Sequence, residues 1–167
     1  MDAKSEAGTI VISGGKTNVV RTSGREIVVK RTFNAVPRIV YEAWSKPELF
    51  SRWWVPKSMP VPLRACELDV RTGGKYRLEF GHDADNTFTF YGKYLDVVPQ
   101  ARMVWTNDEG EEGAVTTVTF EEQGGKTLLT YREVYPSDEA LDEALAEGGP
   151  SGLPEQFDQL EAFLAQA

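Results

Sequence analysis

"KYRLEFGHDADNTFTFYGKYLDVVPQARMVWTN", residues 75–107, decides the fold class. Tyr76, Leu78 and Phe80 alternate with charged residues, and Phe88, Phe90 and Tyr94 fall on a second alternating row, so each stretch reads as a strand with one apolar face. "GHDADN" and "PQ" are turn sequences, and connections this short join antiparallel neighbours. Outward in both directions the pattern continues. "ACELDV" (65–70) precedes the stretch, "AVTTVTFEE" (114–122) and "TLLTYREVY" (127–135) follow it, and turn signals separate them all. Six successive strands of this kind form an antiparallel meander. One face of such a sheet must be covered.

The covering elements lie at the two ends. "EIVVKRTF" (26–33) is a strand with Ile27, Val29 and Phe33 on one face; the period then changes, and Ile39, Val40, Ala43 and Trp44 recur at helical spacing behind Pro37. Pro47 ends that helix and permits a second short one, about 48–53. After the meander, Ser137 is placed to cap a helix carrying Leu141 and Leu145. "GGPSG" interrupts it, and "LPEQFDQLEAFLAQA" (153–167) presents Leu153, Phe157, Leu160 and Leu164 on one stripe, with Glu155, Asp158 and Glu161 away from it. Residues 1–25, rich in Gly, Ser, Thr and Lys, read as an extension that is either a tail or a small hairpin, and 26–167 as one domain.

Charge is distributed unevenly. The net charge is −8, yet residues 1–136 hold 18 acidic and 18 basic side chains, and all the excess lies in 137–167, which has no Lys or Arg. Without clustered cations, neither nucleic acid nor an anionic membrane surface is an expected partner. No apolar run reaches the length of a membrane-spanning helix, no secretory leader is evident, and Cys66 is the single cysteine, so the expected location is cytoplasmic, without disulfides or a thiolate metal cluster.

Three motifs invite chemistry. "GGKT" occurs at 14–17 and 124–127 without the further glycine or the following helix of a phosphate loop, so both copies read as turns. "HDADN" (82–86) runs straight into a strand where a calcium loop would need more ligands. With His82 the only histidine and no Gly-x-Ser-x-Gly elbow, neither a hydrolytic triad nor a multi-histidine metal site is expected, and no cofactor is implied. Strand carboxylates and phenols are the remaining acid/base candidates: Glu79, Tyr94, Tyr131 and Glu133.

Taken together, "RTFNAVPRIVYEAWSKPELFSRWW", "CELDVRTGGKYRLEF", "GKYLDVVPQARMVWT", "TVTFEEQGGKTLLTYRE" and "FDQLEAFLAQA" resemble the bacterial activator of Hsp90 ATPase homologue 1-like (AHSA1-like) proteins, of the START-like or Bet v 1-like (SRPBCC) superfamily, over about 26–166. The resemblance implies an α+β helix-grip fold. In it a curved antiparallel sheet of about seven strands wraps a long C-terminal helix, with two short helices after the first strand. It also implies an apolar cavity between sheet and helix for a small hydrophobic molecule. The candidate wall residues are the aromatics Trp53, Trp54, Tyr76, Phe80, Phe88, Phe90, Tyr94, Trp105 and Tyr131, with Leu78 on the sheet and Leu153, Phe157 and Leu160 on the helix. Two alternatives stand beside ligand binding: a module that docks on a protein such as an Hsp90-type chaperone in the stress response, and a cyclase or aromatase-type enzyme. A monomer or homodimer is expected. In one place the chain departs from the pattern: family members usually carry Gly-Trp where this sequence has Gly152 and Leu153.

Overall fold

The structure is a computed structural model that describes residues 8–108 and 113–166. Nine antiparallel strands form a single sheet: β1 Thr9–Gly14, β2 Thr17–Ser23, β3 Glu26–Phe33, β4 Leu63–Leu68, β5 Lys75–Asp83, β6 Asn86–Val98, β7 Arg102–Thr106, β8 Val115–Gln123 and β9 Lys126–Val134. Their spatial order is β1-β2-β3-β9-β8-β7-β6-β5-β4, so all sequential neighbours pair except β3 and β4, and β3 pairs instead with β9. Helices α1 (Pro37–Ser45) and α2 (Pro47–Phe50) follow β3; α3 (Asp138–Ala146), a single 3₁₀ turn (Gly149–Gly152) and α4 (Leu153–Ala165) close the chain. This is the α+β helix grip, with a curved sheet against a long C-terminal helix.

The strand count differs from the expected seven because 9–23 form a hairpin that pairs with β3 and extends the sheet. Val19 and Thr17 of that hairpin are fully buried. Only two short β-branched pieces, 9–12 and 19–20, stand here among Gly, Ser and Lys, so the sequence left a tail and a hairpin both open and gave no sign of docking. Both "GGKT" copies are hairpin turns, with Gly15, Gly124 and Gly125 at positive φ. "HDADN" also turns, and Asp83 Oδ1 accepts from the Asp85 and Asn86 nitrogens.

Gly92 of the long strand β6 is required by a close approach. It stands opposite Tyr76 in the register, and a Cβ there would meet the Thr106 carbonyl oxygen at 2.1 Å. The Tyr76 ring reaches past it and donates its hydroxyl to the Thr106 carbonyl at 2.6 Å. A side chain at position 92 would block that crossing.

Packing differs along the sheet. Under α4, Val29, Phe33, Leu129, Phe157 and Leu160 are at most 1% exposed. Arg31 lies among them, its side chain 3% exposed; it donates to Thr17 Oγ1 at 2.8 Å and Asp158 Oδ1 at 2.7 Å, and pairs with Glu161. A buried guanidinium is tolerable only with such partners. The acidic helix is therefore not simply a solvated face: Asp158 and Glu161 meet Arg31, Lys16 reaches Glu161, and Asp142 of α3 meets Arg21. The first strands supply the cations that the C-terminal segment lacks.

Candidate functional site: an aromatic cavity with one inward carboxylate

A cavity of about 630 Å³ lies between the inner face of β5, β6, β7 and β9 and a cover made by 54–59, α3 and the start of α4. The cover is irregular, and its backbone would be costly to leave unpaired. Side chains of α4 pair with it. Gln156 Nε2 donates to the Trp54 carbonyl at 2.6 Å, and Gln159 Nε2 donates to the Trp53 and Val55 carbonyls at 2.8 Å each. Gln159 Oε1 accepts from Lys57 N, and Glu155 accepts from the Ser58 backbone and hydroxyl. This is how a tryptophan pair among prolines holds its shape: its polar groups are satisfied by one face of the last helix.

The two indoles have separate tasks. Trp53 is fully buried, its Nε1 donating to the Ala43 carbonyl at 2.9 Å, and it does not reach the cavity. Trp54 does line it, stacked on Phe50 at 4.8 Å between ring centroids. Tyr76, Leu78 and Phe80 of β5, Phe90 and Tyr94 of β6, Trp105 of β7, Tyr131 of β9 and Leu153 of α4 also lie on the wall. Phe157 and Leu160 instead fill the core, and Phe88 is 43% exposed, stacked on Phe80 outside the cavity.

Several wall residues were not among the sequence candidates. Trp44 is the centre of the aromatic cluster, with ring contacts to Phe50, Trp53, Trp54, Trp105, Phe120, Tyr131 and Phe157. Its helical spacing marked it as core, which it is; burial and lining are compatible for so large a side chain. Met59, Leu68, Met103 and Asn107 contribute too. Ala140, Glu143, Ala144 and Glu147 of α3 and its C-cap recur three or four apart and close one side.

Polar atoms gather at one end. Glu133 Oε2 accepts from Thr116 Oγ1 at 2.9 Å and the Tyr131 hydroxyl at 3.2 Å, and Oε1 accepts from the Tyr135 hydroxyl at 2.8 Å. Asn107 Nδ2 extends this chain by donating to Thr116 Oγ1 at 3.1 Å. Burial, then the negative charge of Glu133, raises Tyr131 and Tyr135 above the ordinary phenol range, so both remain protonated donors. A signal for this was legible in "YREVY", because Tyr131, Glu133 and Tyr135 alternate and must share a face. Of the other acid/base candidates, Glu79 pairs outward with Arg77 and Arg64. Tyr94 stays inside, where burial and then Cys66 raise it above the phenol range. Cys66 itself is pushed up to about 11 by burial and then by Glu67, so it is a thiol rather than a reactive thiolate at neutral pH.

Residues 34–165 match the family described as Activator of Hsp90 ATPase homolog 1-like protein. The chain belongs to that family. Its fold is that of several bacterial proteins of known structure. A Rhodobacter sphaeroides protein aligns with TM-score 0.79 at 21% identity, covering 90% of this chain and 98% of the other. A Nitrosomonas europaea protein aligns with TM-score 0.73 at 24% identity, covering 86% and 96%. An AHSA1-like protein from Aeromonas hydrophila aligns with TM-score 0.64 at 18% identity, covering 84% and 92%. No curated protein matches the chain. Among the described residues of this AHSA1-like chain, no helix is long and apolar enough to cross a membrane.

Proposed function

We propose that this AHSA1-like protein binds a small hydrophobic molecule between its sheet and its C-terminal helices. The observation that carries this is the unfilled volume of about 630 Å³ beneath aromatic walls. Protein interiors are close-packed, and apolar walls that face an open pocket of that size leave unmade the dispersion contacts a bound molecule would supply. Ligand pockets fall in this size range, with mostly apolar walls and a few convergent polar groups.

The chaperone-docking alternative would use the acidic C-terminal segment, and three of its carboxylates, Asp142, Asp158 and Glu161, are already ion-paired within the chain. Ligand binding uses surface that no other described residue occupies. The test is a titration with Nile red, a neutral apolar fluorophore, beside native mass spectrometry of the purified protein. Saturable one-site binding is expected, weakened by Trp54→Ala, which alters the wall, and unchanged by Tyr91→Ala, whose side chain does not line the cavity. No saturable binding, or equal effects of both variants, overturns the proposal.

A further inference from the structure

The cavity wall has carboxylates but no cation. Glu133, Glu143 and Glu147 line it, and among the described lining residues there is no Lys, Arg or His. Glu133 is the inward member, on a strand, and no Lys or Arg among the described residues pairs with it; its contacts are the neutral hydroxyls of Thr116, Tyr131 and Tyr135. Those three donors hold the carboxylate in place without cancelling its charge, and a carboxylate can accept about four hydrogen bonds. Glu143 and Glu147 are exposed on the α3 side. Around Glu133 the walls are aromatic, and aromatic faces attract cations.

A second observation points to an occupant. Trp44 lines the cavity and is 1% exposed, yet its Nε1 donor has no partner among the described residues. A buried indole N–H is normally paired. Trp53, in direct ring contact with Trp44 at 4.8 Å, obeys that rule through Ala43. An unpaired donor on the wall of a cavity is completed by an acceptor on whatever fills the cavity.

Resting on the ligand-binding reading above, we infer that the molecule is an apolar amine whose body also carries a hydrogen-bond acceptor, held with its ammonium at Glu133, its acceptor at Trp44 Nε1 and its body against Trp54 and Trp105. Neutral alcohols of the same shape would fill the volume but leave the carboxylate without a counter-charge, and carboxylic acids would meet like charge.

Three probes of one shape separate these cases: 2-(2-naphthyl)ethylamine, 2-(2-naphthyl)ethanol and 2-naphthylacetic acid, titrated calorimetrically at neutral pH into the full chain. The amine is expected to bind about tenfold more tightly than the alcohol, and the acid more weakly than either, as for a charge-assisted contact. Glu133→Gln, close in shape, should erase the amine's advantage while leaving the alcohol within about twofold. A Glu143→Gln/Glu147→Gln double variant, altering exposed groups, should lower amine affinity by less than about threefold. Equal binding of amine and alcohol to the unaltered protein overturns the inference, whatever Glu133→Gln does to folding. So does an amine preference that survives in a folded Glu133→Gln protein. Nile red binding without binding of any naphthyl probe overturns the amine inference alone; failure of Nile red as well overturns the cavity reading with it.

Discussion

The two halves of the sheet are made of similar residues and end in different states. Under α4, β3 and β9 present Val29, Phe33 and Leu129 to Phe157 and Leu160, and nothing is left open. Across β5, β6 and β7, Tyr76, Leu78, Phe80, Tyr94 and Trp105 are just as apolar and almost as buried, yet they border a void. What differs is the facing element. A regular helix sets a row of side chains into the first half, with Phe33 and Phe157 edge to face at 5.9 Å. The second half is roofed by an irregular segment whose backbone is held by Gln156 and Gln159, and by the flank of α3. Such a roof stands where its hydrogen bonds fix it, and it does not descend to fill the space.

That contrast sets the largest expected effect. Phe157→Ala removes a fully buried ring from the closed half and should cost about 3–5 kcal/mol in urea unfolding. Phe90→Ala removes a ring that is 38% exposed on the open half and should cost less than about 1 kcal/mol while weakening Nile red binding. Comparable losses at both positions would mean that the halves are packed alike and the void collapses in solution.

Arg31 tests the closed half by charge. Its hydrogen bonds first, then those of Lys16, hold the Glu161 carboxyl below the usual carboxylate range. A carboxyl depressed in the folded state contributes stability above its unfolded value, near 4.5, and loses that contribution as pH falls through its folded value. Arg31→Met should therefore cost about 1–2 kcal/mol at neutral pH, chiefly by leaving the buried Thr17 hydroxyl without its donor. It should also flatten the stability profile below about pH 4.5. An unchanged acid limb would show that Glu161 meets solvent rather than Arg31.

The strand meander, the helix pair after β3 and the final helix were legible because each rests on local periodicity: alternation in 76–80, helical spacing at Val40, Ala43 and Trp44, the Leu153–Phe157–Leu160 stripe. What local pattern cannot express is which apolar face meets a partner. Trp53 and Trp54 are adjacent and identical in type, yet one is sealed by a bond to Ala43 and the other faces the void. Phe157 and Leu153 share a helical stripe and divide in the same way. Gln156 and Gln159 offered no periodic signal, because their role is to satisfy a distant loop. Arg31 sat in an apolar row where its carboxylate partners, more than a hundred residues away, were invisible.

Leu153 offers the finest test of the open half, because it stands on the boundary between the two halves. It is 3% exposed and lines the cavity, so its side chain borders space on one side and core on the other. Enlarging a residue in a close-packed interior forces neighbours off their rotamers and costs about 1–3 kcal/mol. Facing a void, the same enlargement can extend into it. Leu153→Trp should therefore change stability by less than about 1 kcal/mol in urea unfolding, because the added apolar area offsets what strain remains. Binding should respond in the opposite proportion, with Nile red affinity falling severalfold as the indole takes up volume. A strong loss of stability with unaltered binding would place the Leu153 side chain in the closed half, and the boundary between the halves would then run on the cavity side of α4.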